Sequence, residues 1–198
     1  MKRLLSFFFV TLTAFVVMAQ DAKPHLQFKG IPIQGSISAF CQKLQAKGFT
    51  PLRSTEKNVR IFKGDFTGRK STVGVVATDD GKNVFGVTVL FDESEDWNTL
   101  VSTYDHYKDL YTTKYGNPSD CKEYNPALEK RYRDPSNIEL MYELFQGTVS
   151  WASIYKAEGG NIELSIKKGT GFHTGVVIIK YRDKQNIEQK RQNDLDDI

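Results

Sequence analysis

Apolar residues recur along this chain at two spacings, and the switches between them divide it into elements. Residues 25–33 form an extended lead-in carrying Leu26, Phe28, Ile31 and Ile33 around Pro32. Ser36 then precedes Ile37, Phe40, Cys41 and Leu44, which share one face at helical spacing, and serine is a favoured N-terminal cap. Gly48 supplies the left-handed residue that helix ends favour, with Phe49 beyond it as a packing contact. Three strand-like runs follow at 59–66, 71–78 and 84–91. In the second, Val73, Val75 and Ala77 alternate with Thr72, Gly74, Val76 and Thr78. In the third, Phe85, Val87, Val89 and Phe91 fall on one side. Asp79-Asp80-Gly81-Lys82 between them is hairpin chemistry, because Asp-Gly tolerates positive φ.

The pattern then repeats. A long helix carries Trp97, Leu100, Val101, Tyr104 and Tyr111 on one stripe and stops at Tyr115-Gly116-Asn117-Pro118. Tyr107 falls off that stripe and is expected to be exposed. A loop between Pro126 and Pro135 leads to Ser136-Asn137-Ile138-Glu139, the spelling of a capping box, and Ile138, Met141, Tyr142 and Phe145 continue at helical period to Gly147. Strand runs cover 148–156, 161–167 and 174–182. Short turns between strands imply antiparallel pairing, with helices on the bulky face. The expectation is an α+β fold of two similar helix-plus-three-strand halves, about 25–92 and 93–183, with an antiparallel sheet covered by helices on one face. Residues 184–198 read as a polar tail or loose helix, since only Ile187, Leu195 and Ile198 are apolar there.

The first nineteen residues change the charge argument. Lys2 and Arg3, the apolar stretch to Met18 and the small residue Ala19 follow the order of a cleavable secretory signal. The stretch is shorter than the roughly 20 apolar residues of a spanning helix, so no membrane span is expected after signal removal. The residue after the cut is Gln20 rather than cysteine, which speaks against a lipid anchor there. A soluble periplasmic or extracellular product is expected, as one domain over 20–183. The formal charge of +3 falls to about +1 once Lys2 and Arg3 leave with the signal. A near-neutral chain with interspersed signs has no footprint for phosphate backbones, so nucleic acid is a poor partner. An oxidising compartment permits Cys41 and Cys121 to pair, but their spacing does not establish it.

Two resemblances follow from these residues. His25-Leu26-Gln27-Phe28-Lys29-Gly30-Ile31-Pro32-Ile33-Gln34-Gly35, with Lys47-Gly48-Phe49, resembles the opening of uncharacterised small exported proteins of gut-type anaerobic bacteria. That likeness implies export and fold only. The doubled helix-then-strands layout is similar in outline to beta-lactamase inhibitor protein and to small outer-membrane assembly lipoproteins, which implies a leaning toward protein binding.

Motifs that carry chemistry are near misses. Residues 64–71 hold three residues between their glycines where a phosphate loop needs four, and they run into a strand. Gly169, Gly171 and Gly175 have the wrong spacing for a dinucleotide loop, with no helix following. Asp92, Glu93, Glu95 and Asp96 could offer oxygens to Ca²⁺, yet acids entering a helix are expected from its dipole alone. His25, His106 and His173 are scattered, and only His106 has carboxylates near it, Asp105 and Asp109. No metal or cofactor is expected. The remaining feature is the sheet face away from the helices, where Thr72, Gly74, Gly86 and Thr88 should point outward, joined by Thr148, Ser150 and Ala152. Glycine inside a strand often marks a close approach by another group. The expected function is a binding protein for a protein or envelope glycan, with Thr72, Gly74, Gly86, Thr88, Ser150 and Tyr107 as candidate contacts. The alternative is an envelope hydrolase or other enzyme whose site is assembled from dispersed residues.

Overall fold

The computed structural model describes residues 24–123, 135–196 and 198. The expected signal at 1–19 and Pro126 lie outside the described residues. The chain opens with a small hairpin, β1 (Gln27–Phe28) and β2 (Ile31–Pro32), followed by α1 (Ile37–Ala46) and four strands. These are β3 (Thr50–Leu52), β4 (Val59–Phe66), β5 (Arg69–Ala77) and β6 (Val84–Leu90). The second half runs α2 (Trp97–Tyr115), β7 (Asp120–Lys122), α3 (Asn137–Gln146), β8 (Trp151–Ala157), β9 (Gly160–Lys168) and β10 (Gly175–Asp183). The last element is α4 (Lys184–Asp196).

One eight-stranded antiparallel sheet, in the order β3-β4-β5-β6-β10-β9-β8-β7, carries the fold, and the helices pack on one side of it. The α+β class read from the pattern is the class observed. Each half, however, holds four strands rather than three. The additions, β3 and β7, are three-residue edge strands exposed along their length, too short and too polar to show a period. Each follows the helix that opens its half, and the two halves meet where their last strands pair, β6 against β10.

The expected caps form. Ser36 Oγ accepts from the Ala39 amide, and Ser136 with Glu139 closes a complete capping box. The lead-in differs from the reading: it folds back through Lys29 and Gly30, both at positive φ, into the β1–β2 hairpin. Leu26, Phe28, Ile31 and Ile33 are thereby all buried. Phe28 stacks on Phe66 at 5.6 Å and meets Tyr181 edge-on at 5.2 Å, so the hairpin plugs the helical side of the sheet.

Three side-chain assignments change. Tyr107 is fully buried. It follows Tyr104 by three residues and precedes Tyr111 by four, so the inward stripe of α2 runs through it and leaves Val101 at the edge. Its hydroxyl donates to the Phe66 carbonyl at 3.0 Å and accepts from Thr67 Oγ1 at 2.9 Å. In β6, Ala77 pairs with Val84 and Val76 with Gly86. Phe85 is the extra residue of a bulge and Val84 takes its inward place. On α3 the buried positions are Met141, Glu143 and Leu144, whereas Ile138 and Tyr142 are exposed.

The segment read as a polar tail or loose helix is a helix, α4, and its first turn is anchored. The buried Asn186 side chain donates to the carbonyls of Ile33 and Val84, both at 2.8 Å. Asp183, also buried, accepts from the amides of Leu26 and Asn186 and sits 3.1 Å from His25 Nδ1. The first turn of α4 therefore clasps the N-terminal hairpin to the end of β10.

Inside the core, Gly64 is required for space. A Cβ there would come within 2.3 Å of the Phe49 ring. Gly64→Ala should lower stability by about 2 kcal/mol, as overpacking does. A urea unfolding midpoint equal to that of the parent protein would contradict this packing.

Candidate functional site

Strand register fixes what the helix-free face presents. One row crosses all eight strands, in order Leu52, Ile61, Gly74, Thr88, Lys180, Glu163, Ile154 and Asp120. A neighbouring row holds Thr72, Leu90, Ile178, Ser165 and Ala152, and another Val76, Gly86, Arg182, Asn161 and Lys156. Side chains alternate between faces along a strand, so all of these point away from the helices.

Four of the candidate residues come together here. Gly74 lies directly opposite Thr88, with Thr72 and Gly86 in the flanking rows. Gly74 has open space above it, with no atom of the described residues within 4 Å of where a Cβ would stand, and at Gly86 the nearest of them is the Tyr181 carbonyl oxygen at 3.5 Å. Ser150 is exposed but precedes β8, which is separated from β6 by β10 and β9. Thr148 does not join the face, because its hydroxyl donates to the backbone and carboxylate of Glu143 at the end of α3. Tyr107 is inside the core and cannot contact a partner on either face.

The other chemistry-bearing groups are engaged in structure. Residues 64–71 contain the β4–β5 hairpin turn, with Thr67 and Gly68 both at positive φ, the geometry of a type I′ turn and not of a phosphate loop. The glycine loop at 169–175 wraps a carboxylate of the same chain. Glu93 accepts from the Thr170 amide and hydroxyl at 2.8 and 2.7 Å, from the Gly171 amide at 2.9 Å, and from the Thr174 hydroxyl. Glu93 is thereby committed to this loop, and among the described residues no group of three or more His, Cys, Asp or Glu side chains is placed to hold a metal.

Cys41 and Cys121 are both free, one buried under α1 and the other exposed on the terminal strand β7. Burial pushes the Cys41 thiol up to about 11. Beside Cys121, Tyr104 and Ser153 share a 2.6 Å hydrogen bond, Tyr104 donates to Glu123, and Lys108 pairs with Glu123 at 2.5 Å. This is a satisfied polar seam between α2 and β8.

Two features escaped the sequence reading. A cleft of about 800 Å³ lies along α4, lined by His25, Asn83, Lys184, Asn186, Glu188 and Gln189 among others. The His25–Asp183 pair sits at its edge, and the 158-residue separation of the two gave no local signal. The second is an apolar stripe on the helical side: Ile138 and Tyr142 are exposed, and Phe145 continues the stripe to His173 and the exposed Phe172.

The fold and face together define an α+β protein whose antiparallel sheet is helix-covered on one side and open on the other. No family model, curated protein or solved structure matches the chain.

The Glu93 lock has a pH signature. Hydrogen bonds from Thr174, Thr170 and Gly171 hold its carboxyl down to about 2, against an ordinary 4.5. A depressed carboxylate stabilises the folded state fully above its unfolded value, and that contribution is lost as pH falls from 4.5 toward 2. Glu93→Gln should flatten the pH dependence of stability across that window and speed amide exchange in the 169–175 loop. Identical acid titrations of the variant and parent would contradict the lock.

Proposed function

We propose that this chain is an exported binding protein that engages a protein or envelope component through the helix-free face of its sheet. Gly74 carries the reading. It sits in the middle of β5, has no positive φ, and among the described residues nothing occupies the space its side chain would take. Glycine in a strand forgoes packing and costs roughly 0.5–1 kcal/mol relative to alanine. The turn, the bulge and the core impose no glycine here, whereas a partner lying close against the sheet would. Gly86 and Thr88 beside it keep the same area low. The secretory signal read at the N-terminus supports an envelope or extracellular setting.

The His25–Asp183 pair at the edge of the cleft along α4 favours a second reading, an envelope hydrolase with His25 as base. Turnover of chromogenic ester or glycoside substrates that vanishes in a folded His25→Ala variant would replace the binding reading.

Gly74→Thr should hold or raise stability by about 0.5–1 kcal/mol in urea unfolding, since it adds a β-favouring side chain in open space. Gly74→Trp, with the fold intact by circular dichroism, should weaken retention of a saturable partner from the host's envelope extract by roughly ten-fold or more. Unchanged retention would sink the face as the binding surface.

A further inference from the structure

Resting on that reading of the face, we infer that the partner it receives is an acidic protein surface. Outward register positions carry Lys63, Lys122, Lys156, Lys167, Lys180 and Arg182. The outward acids are Asp120, Glu163, which is already 3.8 Å from Arg182, and Asp65, which lies opposite Lys70 at one end. The face is therefore clearly positive on a chain that is nearly neutral once its signal is removed. The balancing carboxylates lie elsewhere, among them Glu93 and Asp96 in the turn that enters α2. Such segregation of charge steers an acidic partner to one side of the molecule.

The part of the same face around β4, β5 and β6 is largely aliphatic. Ile61, Val76, Leu90 and Ile178 stand half-buried about Gly74, Gly86 and Thr88, with the charged Lys180 and Glu163 next in the row toward β8. An apolar patch bordered by charged side chains is the anatomy of a protein interface. A polyanionic glycan would need hydrogen-bonding groups where these aliphatics stand. A bilayer would need protruding apolar side chains, and among the described residues Leu52 is the only large exposed hydrophobic one on this face. At strand spacings of about 4.8 Å and residue rises of about 3.3 Å, the face offers on the order of 600 Å². Matched by its partner, that area reaches about 1,200 Å², the lower bound of a stable specific interface.

The test uses the tagged chain from Gln20 and three immobilised probes: a random glutamate–tyrosine copolymer as acidic polypeptide, polygalacturonate as anionic glycan, and phosphatidylglycerol vesicles. The copolymer should retain the protein best, and added salt should release it. Lys156→Glu with Lys167→Glu should weaken that retention by roughly ten-fold. The pair Lys43→Glu and Lys47→Glu, exposed on the helical side, should change it by no more than roughly two-fold. No retention on the copolymer, equal loss in both pairs, or stronger retention on polygalacturonate or vesicles would overturn an acidic protein partner. Gly74→Trp separates the two levels. If it blocks the probe that does bind, the face survives as the binding surface and only the partner class fails. If it blocks nothing, the face fails as well.

Discussion

The antiparallel pairing of β6 with β10 is the joint on which the rest of the molecule depends. Five residue pairs, from Gly86 against Arg182 to Leu90 against Ile178, fuse two four-stranded halves into one sheet. Because each half places its helices on the same side, fusion produces one continuous covered face and one continuous open face. The interior is correspondingly shared. Phe66 from the first half stacks against Tyr107 of α2, and Phe28 of the opening hairpin meets Tyr181 of β10. Neither half could bury these rings alone.

Polar groups lock the same joint at both ends. At one end Asp183 and Asn186 tie the first hairpin, β6 and the last strand together through buried hydrogen bonds. At the other, Glu93 leaves the end of β6 to hold the loop that precedes β10. The Asp183–Asn186 clasp is buried, and buried polar groups stabilise only when every partner is present, whereas the Glu93 bonds are exposed. Both clamps lie at the ends of the sheet, and neither intrudes on the open face, which is left to its small and aliphatic side chains.

The sequence was legible where periodicity was strong. The long strands and the three internal helices follow their apolar spacing, and the positions of Thr72, Gly74 and Thr88 follow from alternation alone. What escaped did so for identifiable reasons. The edge strands β3 and β7 are three residues long and exposed. A single bulge residue, Phe85, reverses the inward parity at the start of β6. Tyr107 reads as outward when Val101 is counted into the stripe of α2, which shifts the apparent face by one position. The clasp at Asp183 and the Glu93 lock join residues more than seventy positions apart, and no local pattern announces such contacts. The charge of the open face was likewise invisible until register placed lysines from six strands on one side.

Partners are proposed to meet the sheet and not the helices. The most direct test is site-specific photocrosslinking in the host envelope, with a photoreactive residue at Thr88 on the open face or at Tyr142 on the exposed stripe of α3. Crosslinks to a discrete protein from position 88, and none from position 142, are the expected result. Crosslinks from position 142 alone would move the binding surface to the helical side and contradict the reading given to Gly74.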